Sequence, residues 1–203
     1  MYRHHPQTLK VKEILDSGVL GKVQLVKGAF SFVLRREGDI RMQKETGGGS
    51  IWDVGCYPIS YTRMIVGAEP LEVFGWQVEG RDGIDISFIG QMRFGDDILC
   101  QFDCGFKSPN RAYMEIVGTE ATLNIPNPFK PYRNTNLVLT RGDHAEVIKV
   151  KGEELYLGEV ENLVDVILRN APPRVTLEDS RGNIATILAL IESARTGKPI
   201  TPK

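Results

Sequence analysis

Neither a G-x-G-x-x-G dinucleotide fingerprint nor a G-x-x-x-x-G-K-[ST] phosphate loop occurs in the chain, so no nucleotide site of either kind is legible in it. No apolar run approaches the roughly 20 residues that span a bilayer. The first residues, Met1-Tyr2-Arg3-His4-His5-Pro6, read as neither a signal peptide nor a transit peptide. An excess of charge of either sign is also lacking: 25 basic residues face 26 acidic ones, a formal net charge of −1. No global field therefore favours nucleic acid or anionic lipid, and the basic residues are not interleaved with aromatics as a nucleic-acid surface requires. Ser50 lies in no nucleophile elbow, which argues against a hydrolase. The scarce residues exclude a metal centre, because no His, Cys, Asp or Glu cluster has ligand spacing. Three cysteines, Cys56, Cys100 and Cys104, form an odd set, expected as free thiols in a reducing, cytoplasmic compartment. Cys100 and Cys104 sit four apart on one predicted strand, about 13 Å between Cα atoms, beyond disulfide reach.

What is present suits a globular protein with ample core. The chain has 203 residues, 41% of them apolar and 25% charged, and is read as one domain over residues 1–203. Pro6 to Asp16 reads as a helix stopped by Gly18, and Lys22 to Leu34 as a long strand. Arg35 to Gly49 is polar and ends in three glycines, a mobile loop. A helix follows from Ser50, a plausible N-cap, to Val66, closed by Gly67. Leu71–Val78, Ile84–Phe94, Ile98–Phe106, Arg111–Val117, Thr122–Ile125, Leu137–Thr140 and Glu146–Val150 read as strands. Gly95-Asp96-Asp97 and Arg141-Gly142-Asp143 look like hairpin turns. Leu155–Arg169 and Glu178–Thr196 are helical, the first with Val160, Leu163, Val164 and Ile167 at helical spacing. Short turns between sequential strands imply an α+β fold, an open, mainly antiparallel β-sheet with helices packed on one face. Its other face is solvated or covered by a partner. Phe30, Phe32, Phe74, Trp76, Phe88, Phe102 and Phe106 serve either a dimer surface or the core.

The segment Gly47-Gly48-Gly49-Ser50-Ile51-Trp52-Asp53-Val54-Gly55-Cys56-Tyr57-Pro58 carries the chemistry. An α-helix would place Asp53 and Tyr57 on one face, and an acid beside a phenol can move a proton at a hydroxyl or carbonyl carbon. The residues alone leave another reading open, a solvated aspartate and a core tyrosine. The glycines mean either close backbone approach or a moving loop. Arg3, His4 and His5 form a basic cluster suited to a polar ligand or to a plain terminal segment.

Together with Gly118-Thr119-Glu120-Ala121 and Glu192-Ser193-Ala194-Arg195-Thr196-Gly197-Lys198-Pro199, these segments resemble the carboxy-terminal domain of the Gfo/Idh/MocA oxidoreductases over nearly the whole chain. The resemblance implies a pyridine-nucleotide oxidoreductase acting on a sugar, polyol or dihydrodiol, with sheet-to-sheet pairing into a homodimer or higher homo-oligomer. It implies that Asp53 orients the substrate and that Tyr57 handles the hydroxyl proton. Tyr2, Arg3 and His5 would line the cleft. Tyrosine at position 57 is similar to the glucose–fructose oxidoreductase and dihydrodiol/xylose dehydrogenase branch. The family's amino-terminal Rossmann domain, which supplies the dinucleotide site and a Glu-Lys-Pro lysine, has no counterpart here. The expectation is a fragment of a longer enzyme: NAD or NADP for the complete protein, none bound by this chain alone, and little turnover without the rest. The alternative is a stand-alone, non-catalytic dimerisation or ligand-binding module.

Overall fold

The computed structural model describes residues 1–36 and 38–203. Glu37, within the loop expected over residues 35–49, lies outside the described residues. In chain order the elements are α1 (Pro6–Asp16), β1 (Val23–Ser31), α2 (Cys56–Val66), β2 (Glu72–Glu79), β3 (Asp85–Arg93), β4 (Leu99–Gly105), β5 (Arg111–Gly118), β6 (Thr122–Pro126), β7 (Asn134–Arg141), β8 (His144–Lys151), α3 (Leu157–Arg169) and α4 (Leu177–Thr196). The class is α+β with an open, mainly antiparallel sheet, as the turn pattern predicted. The chain forms two compact units, Met1–Gln24 with Tyr113–Ser180, and Leu25–Ala112 with Arg181–Lys203.

In the first unit β5, β6, β7 and β8 pair in sequence order, all antiparallel. Met114, Ile116, Leu123, Ile125, Phe129 and Leu137 are fully buried among them. Helix α1 is fastened to these strands by Gln7, whose amide donates to the Pro126 carbonyl at 3.0 Å and to Thr135 Oγ1 at 2.8 Å. The end of β5 lies against the backbone at Leu20: Glu120 N–H donates to the Leu20 carbonyl and Thr119 N–H to that of Lys22, each at 3.0 Å. A Cβ on Gly118 would overlap the Leu20 carbonyl oxygen, so this crossing admits only glycine.

The second unit has the strand order β2-β3-β4-β1, with β1 parallel to β4 and the other pairs antiparallel. The β3–β4 turn places Asp96 and Asp97 at φ 55° and 60°, the left-handed pair that a two-residue hairpin demands. Helices α2 and α4 cover one sheet face. Thr62 of α2 meets Cys100 on β4, and Ser193 of α4 accepts from Gly75 N–H on β2 at 3.2 Å. The sheet's own packing is aromatic: Phe88 and Phe102 stack with centroids 6.4 Å apart. The aromatic residues divide by burial. Phe30, Phe88, Phe102 and Phe106 are buried, Phe32 and Phe74 are half-buried, and Trp76 is exposed.

The helix expected from Ser50 starts differently. Residues Ile51–Gly55 form a π-helical turn, and regular α-helix begins only at Cys56. Ser50 is not the side-chain cap; its own backbone is helical, at φ −69° and ψ −30°. The cap comes from Asp85 at the start of β3, whose Oδ2 accepts both the Ser50 hydroxyl and, at 2.8 Å, the Ile51 N–H. Gly49 has φ +126°, and a Cβ there would strike the Asp85 carboxylate. Gly48 and Gly49 are thus positions of close approach, Gly48 against the Arg41 and Gln43 carbonyls, whereas Gly47 has open space around it and a φ of +73°.

Two outcomes follow from these contacts. Gly118→Ala should destabilise the protein by about 1–3 kcal/mol through overpacking, whereas Gly95→Ala, with nothing within 4 Å of its Cβ and no positive φ, should stay within about 0.5 kcal/mol; urea unfolding measures both. Burial pushes the Asp85 carboxyl above its ordinary 3.8, against hydrogen bonds from Ser50 and Ile51. A raised native pKa means that the stability tied to this group is complete below the ordinary value and is lost as pH rises through the native one. The stability of the natural protein relative to Asp85→Asn should therefore fall as pH rises from that value upward; a flat difference in unfolding free energy across this window would refute it.

Candidate functional site

Asp53 sits in the π-helical turn, a feature that often marks functional sites, and its side chain is 29% exposed. It faces a cleft of about 200 Å³ that Ile40, Arg41, Thr46, Gly47, Gly48, Gly49 and Trp52 line with it. The four-residue step to Tyr57 runs through a wider turn than an α-helix. Asp53 Oδ1 accepts from Arg41 Nε at 3.0 Å. The half-buried Tyr57 sets its ring edge-on to Phe30, with centroids 5.3 Å apart.

Arg41 is the residue that sequence reasoning missed. The segment read as a mobile loop contains two 3-10 turns, Ile40–Met42 and Lys44–Thr46. Asp39 caps the first: its Oδ1 accepts from Arg41 N–H at 3.0 Å and from Arg41 Nη1 at 3.1 Å. One guanidinium thus joins two carboxylates. The Arg41 backbone N–H is the chief influence holding Asp39 below the usual carboxylate range, and Asp53 is the chief influence raising Arg41 further. The available signal was Asp39 two residues before Arg41, a side-chain-capped turn pattern.

The glycine N–H groups do not cradle a phosphate. Gly47 N–H donates to Lys44 O, Gly48 N–H to Gln43 O and Gly49 N–H to Arg41 O, at 2.9–3.0 Å. Each donor is spent on a loop carbonyl, so this loop does not fit the pyrophosphate of a dinucleotide. The thiols are equally occupied. Burial pushes Cys56 and Cys100 up to about 12, and Cys104 well above its ordinary value, so all three stay protonated and unreactive near neutral pH.

Tyr2, Arg3 and His5 belong to the other compact unit. Tyr2 is buried with its ring edge-on to Phe129, centroids 6.0 Å apart. Arg3 pairs with Asp179 at 3.3 Å. His5 is 2% exposed and caps α1, its Nδ1 accepting from Gln7 N–H at 3.1 Å; burial lowers its pKa and favours the neutral ring. The structure gives these residues packing, pairing and capping contacts. A larger cleft of about 830 Å³ in the second unit, edged by Arg35, Arg36, Arg81, Asp82 and Lys107, contains neither Asp53 nor Tyr57. Among the described residues no helix is long and apolar enough to cross a membrane.

The chain is similar in sequence and fold to known proteins. D-xylose 1-dehydrogenase (NADP(+)) 2 of Haloferax volcanii is 31% identical over 98% of the chain and 62% of its own length. Trans-1,2-dihydrobenzene-1,2-diol dehydrogenase of Danio rerio is 31% identical over 61% of the chain and 37% of its own length. Among solved structures, a 3-ketoreductase from Actinomadura kijaniata in complex with NADP and TDP-benzene superposes with a TM-score of 0.88 at 25% identity, covering 95% of this chain and 60% of that one. The chain therefore spans about three fifths of the length of the xylose dehydrogenase and of the ketoreductase. Residues 8–124 match the GFO/IDH/MocA C-terminal domain, and with the identity to the xylose dehydrogenase this establishes that the chain belongs to the Gfo/Idh/MocA oxidoreductase family.

Proposed function

We propose that residues 1–203 act as one substrate-binding and dimerisation module of an NAD(P)-dependent oxidoreductase, acting on a CH–OH group of a sugar, polyol or dihydrodiol. The observation that carries this reading is Asp53, held by Arg41 at the edge of a cleft, on the same short helical segment as Tyr57. Membership of an oxidoreductase family supports it, as do the NADP and sugar or dihydrodiol names of the relatives. In this reading the glycine loop is not the nucleotide's cradle, because its three N–H groups donate to loop carbonyls. Residues 1–203 contribute orientation and proton handling.

Oxidation of an alcohol carbon releases a proton from its hydroxyl, and reduction returns one. Tyr57 is the proton-transfer group; a phenol needs a neighbouring cation to act as a base at neutral pH. Asp53 accepts a hydrogen bond from the substrate hydroxyl and fixes its direction. Arg41 is the positioning residue; its guanidinium holds Asp53 and is itself held by Asp39. General acid–base catalysis supplies about 10²–10⁴-fold, so Tyr57→Phe in the complete enzyme should cut turnover at least about tenfold with the oligomer intact. Unchanged turnover would remove Tyr57 from the mechanism.

Dimerisation is assigned to the sheet face that α2 and α4 leave open. Trp76 lies directly opposite Ile89 in the β2–β3 register, and the two are 57% and 52% exposed. Phe74 packs edge-on to Trp76, centroids 4.4 Å apart, and Leu99 on β4 is also half exposed. An apolar patch on a sheet face is a ready surface for a second copy. Ile89→Asp should give a monomer in sedimentation equilibrium under conditions where the natural protein is a dimer; a variant that remains dimeric would move the interface elsewhere.

A further inference from the structure

We propose that the cleft of about 830 Å³ at one end of the β2-β3-β4-β1 strands binds a small organic phosphate. Cations on its rim hold the phosphate group, and its apolar floor takes the rest of the molecule.

Strand order builds this cleft. Because β1 runs parallel to β4, both leave the sheet at the same end, where β2 turns into β3. Val78, Ser87, Gly105 and Ser31 align across the four strands, and the lining comes from segments that continue past this row. Leu34 N–H donates to the Phe106 carbonyl at 3.0 Å, and Phe106 N–H to that of Ile86 at 2.9 Å. Arg35 and Lys107 are the next residues on their segments, and Arg81 stands in the β2–β3 turn. Cations far apart in sequence are thus delivered to one concavity, with Arg36 beside them.

Arg35, Arg81 and Lys107 are exposed and have no ion-pair partner among the described residues. Arg36 acts on Asp39, which Arg41 already binds. Two acids line the cleft with them. Glu79 accepts from Gln77 Nε2 at 2.8 Å, and Asp82 follows Arg81 in the turn. Like charges gathered in a concavity repel one another and focus a positive field there; a bound anion relieves that repulsion. The arginine fork matches phosphate oxygens bidentately, and lysine adds a point charge. Cations on several segments favour the nearly double charge of a phosphate ester over the single charge of a carboxylate.

The floor sets the rest of the class. Ile84 and Ile86 are buried, and Leu34 and Met42 half-buried. The volume suits a small molecule, whose sites span roughly 300–1,000 Å³, and a hydrated inorganic ion would leave the apolar surface unused. Gly38 and Met42 line this cleft while Ile40 and Arg41 line the one beside Asp53. A molecule bound here therefore touches the loop that carries Arg41. The site does not depend on the oxidoreductase reading, and its test needs no nucleotide.

The test is calorimetric titration of the 203-residue chain with phenyl phosphate, inorganic phosphate and benzyl alcohol at low ionic strength, where exposed charges are least screened. Phenyl phosphate should bind saturably with a Kd of about 1 mM or below. It should bind at least about threefold more tightly than inorganic phosphate, which lacks the apolar part, and about tenfold more tightly than benzyl alcohol, which lacks the charge. Arg81→Glu and Lys107→Glu should each weaken it at least about tenfold. Both positions are exposed, so the urea midpoint should barely move. Lys149→Glu, which reverses an exposed cation on β8, should leave binding unchanged. Four results would each overturn the assignment: no saturable binding; phenyl phosphate no tighter than inorganic phosphate; benzyl alcohol binding as well; or equal weakening by Lys149→Glu.

Discussion

The carboxylate of Asp85, taken out of water and aimed at the start of a helical segment, fixes where the candidate site stands. Its Oδ2 accepts from Ser50 and Ile51 and so satisfies N–H and O–H groups that a helix start leaves without partners. Asp53 lies two residues beyond Ile51, and this link between β3 and the start of the π-helical turn helps to set its place relative to the sheet. Desolvating a carboxylate is costly unless hydrogen bonds and nearby partial positive charge offset it. Here the offsetting groups are the hydroxyl and the backbone donor at the segment's first turn. Gly49 completes the arrangement, because any larger residue would occupy the space of the carboxylate.

Around this anchor the charges form a short series. Asp39 caps a 3-10 turn and binds Arg41, and Arg41 binds Asp53. Side chains in such a series restrict one another, so Asp53 meets the cleft in one orientation although it is partly exposed. The carbonyl of Arg41 also accepts the Gly49 N–H. The same residue therefore ties the loop to the helical segment twice, once through its backbone and once through its guanidinium. The loop is a bonded support for the acid, and its three glycine N–H groups are used within it.

The sequence revealed most where a local signal decides structure. Pro6 and Gly18 bracket α1, Gly67 ends α2, and the Asp96-Asp97 turn joins β3 to β4, because each depends on a conformational preference of the residue itself. The final strand pair was placed but drawn short; β7 and β8 run over Asn134–Arg141 and His144–Lys151, since ladder pairing extends strands into polar residues. Asp53 and Tyr57 stood out through their spacing and the family resemblance. Asp85 did not, because it lies 35 residues from Ser50 and long-range caps leave no periodic trace. The π-helical turn was likewise invisible to a rule built on the α-helical period. Arg41 read as one charge in a polar loop, and only the folded loop brings it to Asp53. The stripe on α3 was legible as a helix face, but periodicity cannot say whether such a face is covered.

The parallel pairing of β1 with β4 carries a consequence for how the second unit assembles. Leu25 aligns with Leu99 and Ser31 with Gly105, so the two strands meet only after everything between them has been looped out, including α2 and the β2–β3 hairpin. Entropy lost in closing so long a loop is recovered only when the final ladder zips. The β2–β3–β4 meander, made of neighbours in sequence, can form first and wait as a three-stranded template with an open edge. Until β1 arrives, that edge is open to association with another strand, and the rate of docking sets how long it stays bare.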